Sequence, residues 1–268
     1  MTVRELILQC QSQLLSDEAE REARLMVAHF MKMTPTALRM SYNQAVTDEV
    51  VLQCQKTVER RNFGEPLQYI LGECEFFGLT FSVGKGVLIP RQDTELLVET
   101  ALELIKDKKT PKVLDLCSGS GCVAISIAKN RQDAKVDAVE LYDEAYGYLL
   151  KNIDSNKATN VTPIKADALS FMGDYDLVVS NPPYIAHSEK ADLSKEVLNE
   201  PETALFTDDE GLLFYKTISN NFANKCDIAF EIGYRQGKAV SGILEKLGAN
   251  TEISQDLCGN DRVVIGKY

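Results

Sequence analysis

Apolar positions along this chain follow two regimes. Up to Gly64 they recur at helical spacing: Val3, Leu6, Ile7, Cys10 and Leu14 share one face, which predicts an amphipathic helix. Asp17 with Glu20 predicts a capping box for the next helix, and Thr34-Pro35 supplies an N-cap and a first-turn proline for a third. Thr47 predicts a further N-cap, with Val51, Leu52 and Val58 facing inward and Gly64 ending the helix after Asn62-Phe63. Residues 75–88 then alternate and carry Gly78, Gly84 and Gly86, which predicts a hairpin.

Beyond the hairpin, helix and strand alternate. A helix over 94–106 carries Leu96, Leu97, Leu102 and Ile105, and strands are predicted near Val113, Val136, Val161, Leu177, Ile228 and Val263. Helices over 143–156 and 237–247 lie between them. This alternation predicts an α/β fold with a doubly wound, mostly parallel sheet. The expected organisation is a small helical domain over 1–73, a hairpin linker over 74–90 and a sheet domain over 91–268. A helical domain of that size is marginal by itself and is expected to lean on the remainder or on a partner.

Composition narrows the classes. The 268 residues are 44% hydrophobic and 26% charged, as in an ordinary globular protein. No run of 18 apolar residues occurs, and Met1-Thr2-Val3-Arg4-Glu5 does not read as a leader, so neither a membrane span nor secretion is expected, and the cytoplasm is. Seven cysteines (Cys10, Cys54, Cys74, Cys117, Cys122, Cys226, Cys258) without a C-x-x-C pair point to reduced thiols, and no metal-ligand spacing is found. A net charge of -11 disfavours tight binding of naked nucleic acid and fits a protein substrate better.

Two segments carry chemistry. Leu177 to Val179 is an apolar run that ends at Asn181-Pro182-Pro183-Tyr184, at the carboxyl end of a strand, where open α/β sheets place their sites. The residue before a proline is pushed to an extended backbone and prolines have no N–H. Asn181 Oδ1 and the Pro182 carbonyl are therefore two fixed acceptors for a planar NH2 group, and Tyr184 offers a face for stacking. Earlier, the strand Lys112-Val113-Leu114-Asp115-Leu116 runs into Cys117-Ser118-Gly119-Ser120-Gly121 and a helix over 122–129. Such a turn brings N–H groups close to a ligand. Gly119-x-Gly121-x-x-Ala124 with Glu140 also satisfies a dinucleotide fingerprint, so NAD competes as the ligand. Asp115 shifts the balance: a carboxylate there repels a pyrophosphate but suits the ammonium of S-adenosylmethionine. The same Asp115 also has a bland role open to it, capping the glycine turn.

At this point the chain resembles the peptide chain release factor glutamine N5-methyltransferases, the HemK/PrmC family. The resemblance rests on Gly64-Glu65-Pro66-Leu67-Gln68-Tyr69-Ile70-Leu71-Gly72, Glu75-Phe76-Phe77-Gly78, Leu88-Ile89-Pro90-Arg91-Gln92-Asp93-Thr94-Glu95, Asn181-Pro182-Pro183-Tyr184-Ile185, Glu200-Pro201 with Ala204-Leu205, and Gly259-Asn260-Asp261-Arg262. It implies a seven-stranded Rossmann-like sheet with an antiparallel strand at its far edge, for which 251–254 and 262–266 qualify. It implies methyl transfer from S-adenosylmethionine, leaving S-adenosylhomocysteine, to the amide nitrogen of the Gly-Gly-Gln glutamine of release factors. The site it implies holds cofactor at Asp115, Cys117, Ser118, Gly119, Ser120, Gly121, Glu140, Asp167, Ala168 and Asn181. Glu140 would accept the ribose hydroxyls and Asp167 would touch the adenine amine. Asn181, Pro182, Pro183 and Tyr184 would hold and activate the glutamine, with Arg91, Asp93 and Thr94 shaping the acceptor side. No base is required, and His29 and His187 are expected to be structural or solvent-facing. A monomer is expected.

Three positions depart from the family pattern. Cys117 stands where the first glycine of the loop is usual, so the turn there avoids a positive φ or accepts strain. Gln92 replaces a proline, and Ala168 replaces a bulkier residue, which opens the adenine pocket. Three other readings remain at this level: a DNA or RNA amino-methyltransferase, a NAD-dependent oxidoreductase, and a binding module without turnover.

Overall fold

Thr2 opens the first helix, α1 (Val3–Gln13), with a reciprocal cap: the Glu5 N–H donates to the Thr2 hydroxyl at 3.3 Å and the Thr2 N–H donates to the Glu5 carboxylate at 2.8 Å. The computed structural model describes every residue from Met1 to Tyr268, and these divide into two units, Met1–Glu73 with Ser194–Asn199, and Cys74–Leu193 with Glu200–Tyr268. The first unit continues through α2 (Ala19–Met31), α3 (Pro35–Met40), α4 (Asp48–Asn62) and α5 (Leu67–Leu71). Thr34 and Thr47 cap α3 and α4 as predicted, and Gly64 takes φ 96° just past the end of α4. The predicted Asp17–Glu20 box does not form. Instead α2 starts after Glu18 with no side-chain cap, because the shorter Ser16 hydroxyl already accepts the Glu18 N–H at 3.1 Å.

Val3, Leu6, Met26, Val27, Leu38 and Cys54 form the core of this unit. Leu52 was expected there but is 50% exposed. The buried stripe of α4 runs through Cys54, Thr57 and Val58, and two residues of helix turn Leu52 by about 200° from Cys54. One charge pair is buried: Arg61 Nε and Nη2 donate to Glu22 Oε1 at 3.0 and 2.9 Å, and Nη2 also meets Glu196 at 2.8 Å, which satisfies the guanidinium that burial would otherwise penalise.

The second unit carries the sheets. Strands β1 (Glu73–Phe76) and β2 (Leu79–Ser82) make a hairpin whose turn residues Phe77 and Gly78 both have positive φ, 50° and 72°, the geometry that two-residue hairpins favour. It is shorter than the alternation over 75–88 suggests; residues 83–91 form no strand. A large sheet is built from β3 (Lys112–Leu116), β4 (Lys135–Glu140), β5 (Val161–Lys165), β6 (Leu177–Ser180), β9 (Asp227–Glu231), β10 (Asn250–Gln255) and β11 (Asp261–Lys267). Two short strands, β7 (Ile185–Ala186) and β8 (Phe206–Thr207), pair separately. The helices are α6 (Glu95–Leu104), α7 (Cys122–Asn130), α8 (Asp143–Ser155), α9 (Glu202–Leu205), α10 (Leu213–Phe222) and α11 (Gly237–Lys246).

The seven strands lie in the order β10-β11-β9-β6-β3-β4-β5. All neighbours are parallel except at β11, which runs against both β9 and β10. The reversed strand is thus one in from the edge, not at it. Alternate residues face opposite layers: Val113, Leu177, Val179 and Ala229 pack with α6 and α7, while Leu114, Val178, Ile228 and Phe230 pack with α10 and α11. Strand β3 has β4 on one side and β6 on the other, so the chain reverses its direction of winding at β3. A crevice at the carboxyl ends follows from that reversal.

Candidate active site

The turn after β3 is held from several sides. Cys117 sits at φ 61°, Gly119 at 55° and Gly121 at 81°. The loop therefore accepts the strain of a non-glycine residue in the left-handed region at Cys117, which costs on the order of 1–2 kcal/mol. Gly121 suits its place for a second reason: a Cβ there would lie 2.5 Å from Leu149 Cδ1, and that buried side chain would have to move. The Ser118 hydroxyl donates to the Asp115 carbonyl at 2.9 Å, the Ser118 N–H to the Val139 carbonyl at 3.0 Å, and Asn152 Nδ2 to the Ser120 carbonyl at 2.9 Å.

Two strand-end carboxylates complete this cradle. Asp115 is buried and its Oδ2 accepts the Ala124 N–H at 3.1 Å, so it caps α7 from the strand beneath. Burial, reinforced by the charge of Glu140, pushes its carboxyl up to about 7. Glu140 Oε2 accepts the Gly119 N–H at 2.9 Å, and Oε1 accepts those of Leu141 and Tyr142 at 2.8 and 2.9 Å. Asp167 Oδ1 accepts the Leu169 N–H at 2.9 Å and so also turns its own loop. Burial and the neighbouring Glu140 raise the Cys117 thiol well above its ordinary range, so it stays protonated.

The tip of β6 is fixed as firmly. The Ser180 hydroxyl donates to the Leu116 carbonyl at 2.6 Å across the sheet, and Asn181 Nδ2 donates to Thr94 Oγ1 at 3.2 Å. Gln236 Nε2 donates to the Tyr184 carbonyl at 2.9 Å, and β7 then pairs with β8. Distant segments meet around it. Arg91 pairs with the buried Glu200, whose other oxygen accepts the Ile89 N–H at 2.9 Å, and Arg262 Nη2 pairs with Asp93 at 3.1 Å and Asp256 at 3.2 Å.

One cavity joins these parts, with about 100 Å³ open to the centre of a water molecule, room for far more than one water. Of the residues singled out in the sequence, Asp115, Cys117, Ser118, Gly119, Ser120, Glu140, Asp167, Ala168, Asn181 and Pro183 line it. Gly121 shapes it from behind as the residue before α7. Pro182 and Tyr184 do not line it; the Tyr184 ring packs against the core beside α10. Leu141, Tyr142 and Phe214 line the cavity without having been singled out, and Thr94, singled out only for the acceptor side, stands with them. Glu231, at the end of β9, repeats the pattern of Asp115 and Glu140, an acid within an apolar run at a strand tip, and this pattern is the signal that marks it in the sequence.

The lining suits one cofactor class better than the other. Three carboxylates, Asp115, Glu140 and Asp167, face the cavity, a set of acceptors that matches an ammonium, a ribose and an amino group and repels a pyrophosphate. S-adenosylmethionine fits these residues; NAD does not.

Comparison with known proteins agrees. The family model described as PrmC N-terminal domain matches residues 5–72, and that described as Methyltransferase small domain matches 92–222. A release factor glutamine methyltransferase of Fusobacterium nucleatum subsp. nucleatum is 39% identical over 88% of this chain and 70% of its own length. One of Thermodesulfovibrio yellowstonii is 37% identical over 91% of each. Among solved structures, the hMettl16 catalytic domain in complex with MAT2A 3'UTR hairpin 6 matches at a TM-score of 0.62 over 82% of each chain, and at 16% identity this likeness concerns the fold alone.

Proposed function

The chain belongs to the release factor glutamine methyltransferase family, and from that premise we propose that Asn181 and Pro182 hold the side-chain amide of a release-factor glutamine at the tip of β6 for N5-methylation. The enzyme is an S-adenosylmethionine-dependent methyltransferase. When bound, the cofactor supplies a methyl carbon activated by a positive sulfur. Asp115 is assigned to the ammonium, Glu140 to the ribose and Asp167, beside Ala168, to the adenine, with the turn from Cys117 to Gly121 beneath them. The observation that carries this reading is the convergence of Asn181, Asp115 and Glu140 on one cavity.

An amide nitrogen is a poor nucleophile because its lone pair is shared with the carbonyl. Two acceptors, Asn181 Oδ1 and the Pro182 carbonyl, bind both N–H bonds and stabilise the positive charge that grows on nitrogen. The nitrogen then gives up one proton to solvent. Positioning alone is worth roughly 7–11 kcal/mol, so no histidine base is needed. Pro183 keeps the turn rigid, and Tyr184 provides the wall behind it. No helix is long and apolar enough to cross a membrane, and the proposed workplace is the cytoplasm, where release factors act. The net charge of -11 favours approach to a basic surface on the partner.

The test incubates the protein with methyl-labelled cofactor and purified release factor and locates the label by mass spectrometry. Label on a glutamine amide nitrogen is expected; label elsewhere, or none, refutes the reading. Asn181→Ala should lower turnover by about 10²–10³-fold with cofactor affinity kept. Glu140→Ala should mainly weaken cofactor binding, by roughly tenfold to a hundredfold.

A further inference from the structure

Asn181 is held from behind by a buried polar pair. Glu231 ends β9, and the register of β9 with β6, Phe230 beside Ser180, sets it next to Asn181. It is 1% exposed, and its Oε2 has no hydrogen-bond partner. The Thr94 hydroxyl, itself buried, lies near enough to this carboxyl group to favour its ionised form. The same hydroxyl oxygen accepts from Asn181 Nδ2.

The direction of this chain follows from donor counting. A carboxylate only accepts, and a hydroxyl has one proton. With Glu231 ionised, that proton is committed to Glu231 and Thr94 Oγ1 is left as an acceptor. Only the NH2 end of Asn181 can then face Thr94, and Oδ1 faces the cavity. With Glu231 protonated, its own O–H can donate to Thr94 and free the threonine proton for Asn181 Oδ1. The amide then turns its NH2 outward, donor against donor with an incoming carboxamide.

We propose that Glu231 is a positioning residue that, through Thr94, sets the Asn181 amide with its oxygen towards the cavity and so selects a substrate nitrogen bearing N–H donors. This rests on the reading of Asn181 as the holder of the glutamine amide. The groups that face Glu231 are Arg262 from β11, Arg91 and Asp93 ahead of α6, Tyr184 after β6, Tyr215 from α10 and Cys122 from α7. Tyr215 fixes the strand end by donating to the Glu231 carbonyl at 2.9 Å. Burial outweighs the two arginines and holds the carboxyl at about 7, so the orientation of Asn181 turns over near neutral pH.

Turnover of a release-factor substrate, measured at saturating S-adenosylmethionine to remove any contribution of Asp115 to cofactor binding, tests this. The parental enzyme should gain activity as pH rises through about 7. Glu231→Gln should lose that rise and fall roughly tenfold to a hundredfold in kcat, with cofactor affinity and a cooperative melting transition maintained. Thr94→Val should behave alike, and Thr94→Ser, which keeps the hydroxyl, should restore turnover. An acid limb unchanged in Glu231→Gln, or full turnover in Thr94→Val, overturns the relay while methylation by the parent leaves the functional reading intact. No transfer by the parent at any pH removes both.

Discussion

Cys117 occupies the left-handed region, φ 61°, at the residue that joins β3 to its glycine turn. A glycine there would carry no Cβ penalty, whereas a β-branched side chain would meet it in full. Cys117→Val is therefore expected to lower stability by at least about 1 kcal/mol and Cys117→Gly to stay within about 1 kcal/mol of the parent, read from denaturant midpoints. The sequence made this position visible as a departure from pattern but left its φ open, because a short side chain can answer either way. Asp115, Glu140 and Asn181 were legible for a different reason: each stands at a strand end that periodicity locates closely. The role of Glu231 was not, since donor and acceptor directions emerge only when Thr94, from a segment more than a hundred residues away (about 137), is seen beside it.

At the scale of elements, the regular parts were legible and the joints were not. Strand β3 and the helices after it follow from runs of Val, Leu and Ile set off by glycine and charge. Helix α10 buries Tyr215, Ile218 and Phe222 at helical spacing, but its start is hard to read because no side chain caps it. The turn before it is closed by the Gly211 and Leu212 N–H groups, which donate to the Asp208 and Asp209 carbonyls at 3.2 and 3.0 Å, and it runs through the left-handed region: Asp209, Glu210 and Gly211 all have positive φ, 58°, 53° and 84°. A Cβ on Gly211 would lie 2.2 Å from the Tyr184 carbonyl oxygen and 2.7 Å from Gln236 Nε2. Gly211→Ala should thus displace the segment that follows Asn181. A loss of about 1–3 kcal/mol in stability and a fall in kcat larger than any change in cofactor affinity are expected, measured by melting and by turnover.

For the whole molecule, acid balance governs stability. Burial holds the carboxyls of both Asp115 and Glu231 at about 7, against roughly 4 in an unfolded chain. Between those values the folded state keeps protons that the unfolded chain has released, so their contribution is fully present below about pH 4 and is lost as pH rises through about 7. The ligand-free protein should melt at a lower temperature at about pH 7.5 than at about pH 5.5, and Asp115→Asn and Glu231→Gln should each flatten that slope in a calorimetric scan. The net charge of -11 pushes the same way, since each further ionisation adds repulsion.

The insertion of β11 between β9 and β10 has a consequence for how this unit assembles. The strand that carries Glu231 has its outer neighbour supplied only by residues 261–267, so until these leave the ribosome its backbone amides and carbonyls stay open to any stray strand. Closure of this side of the sheet therefore waits until residues 261–267 are made, and a chaperone that shields exposed β-edges would find its target here.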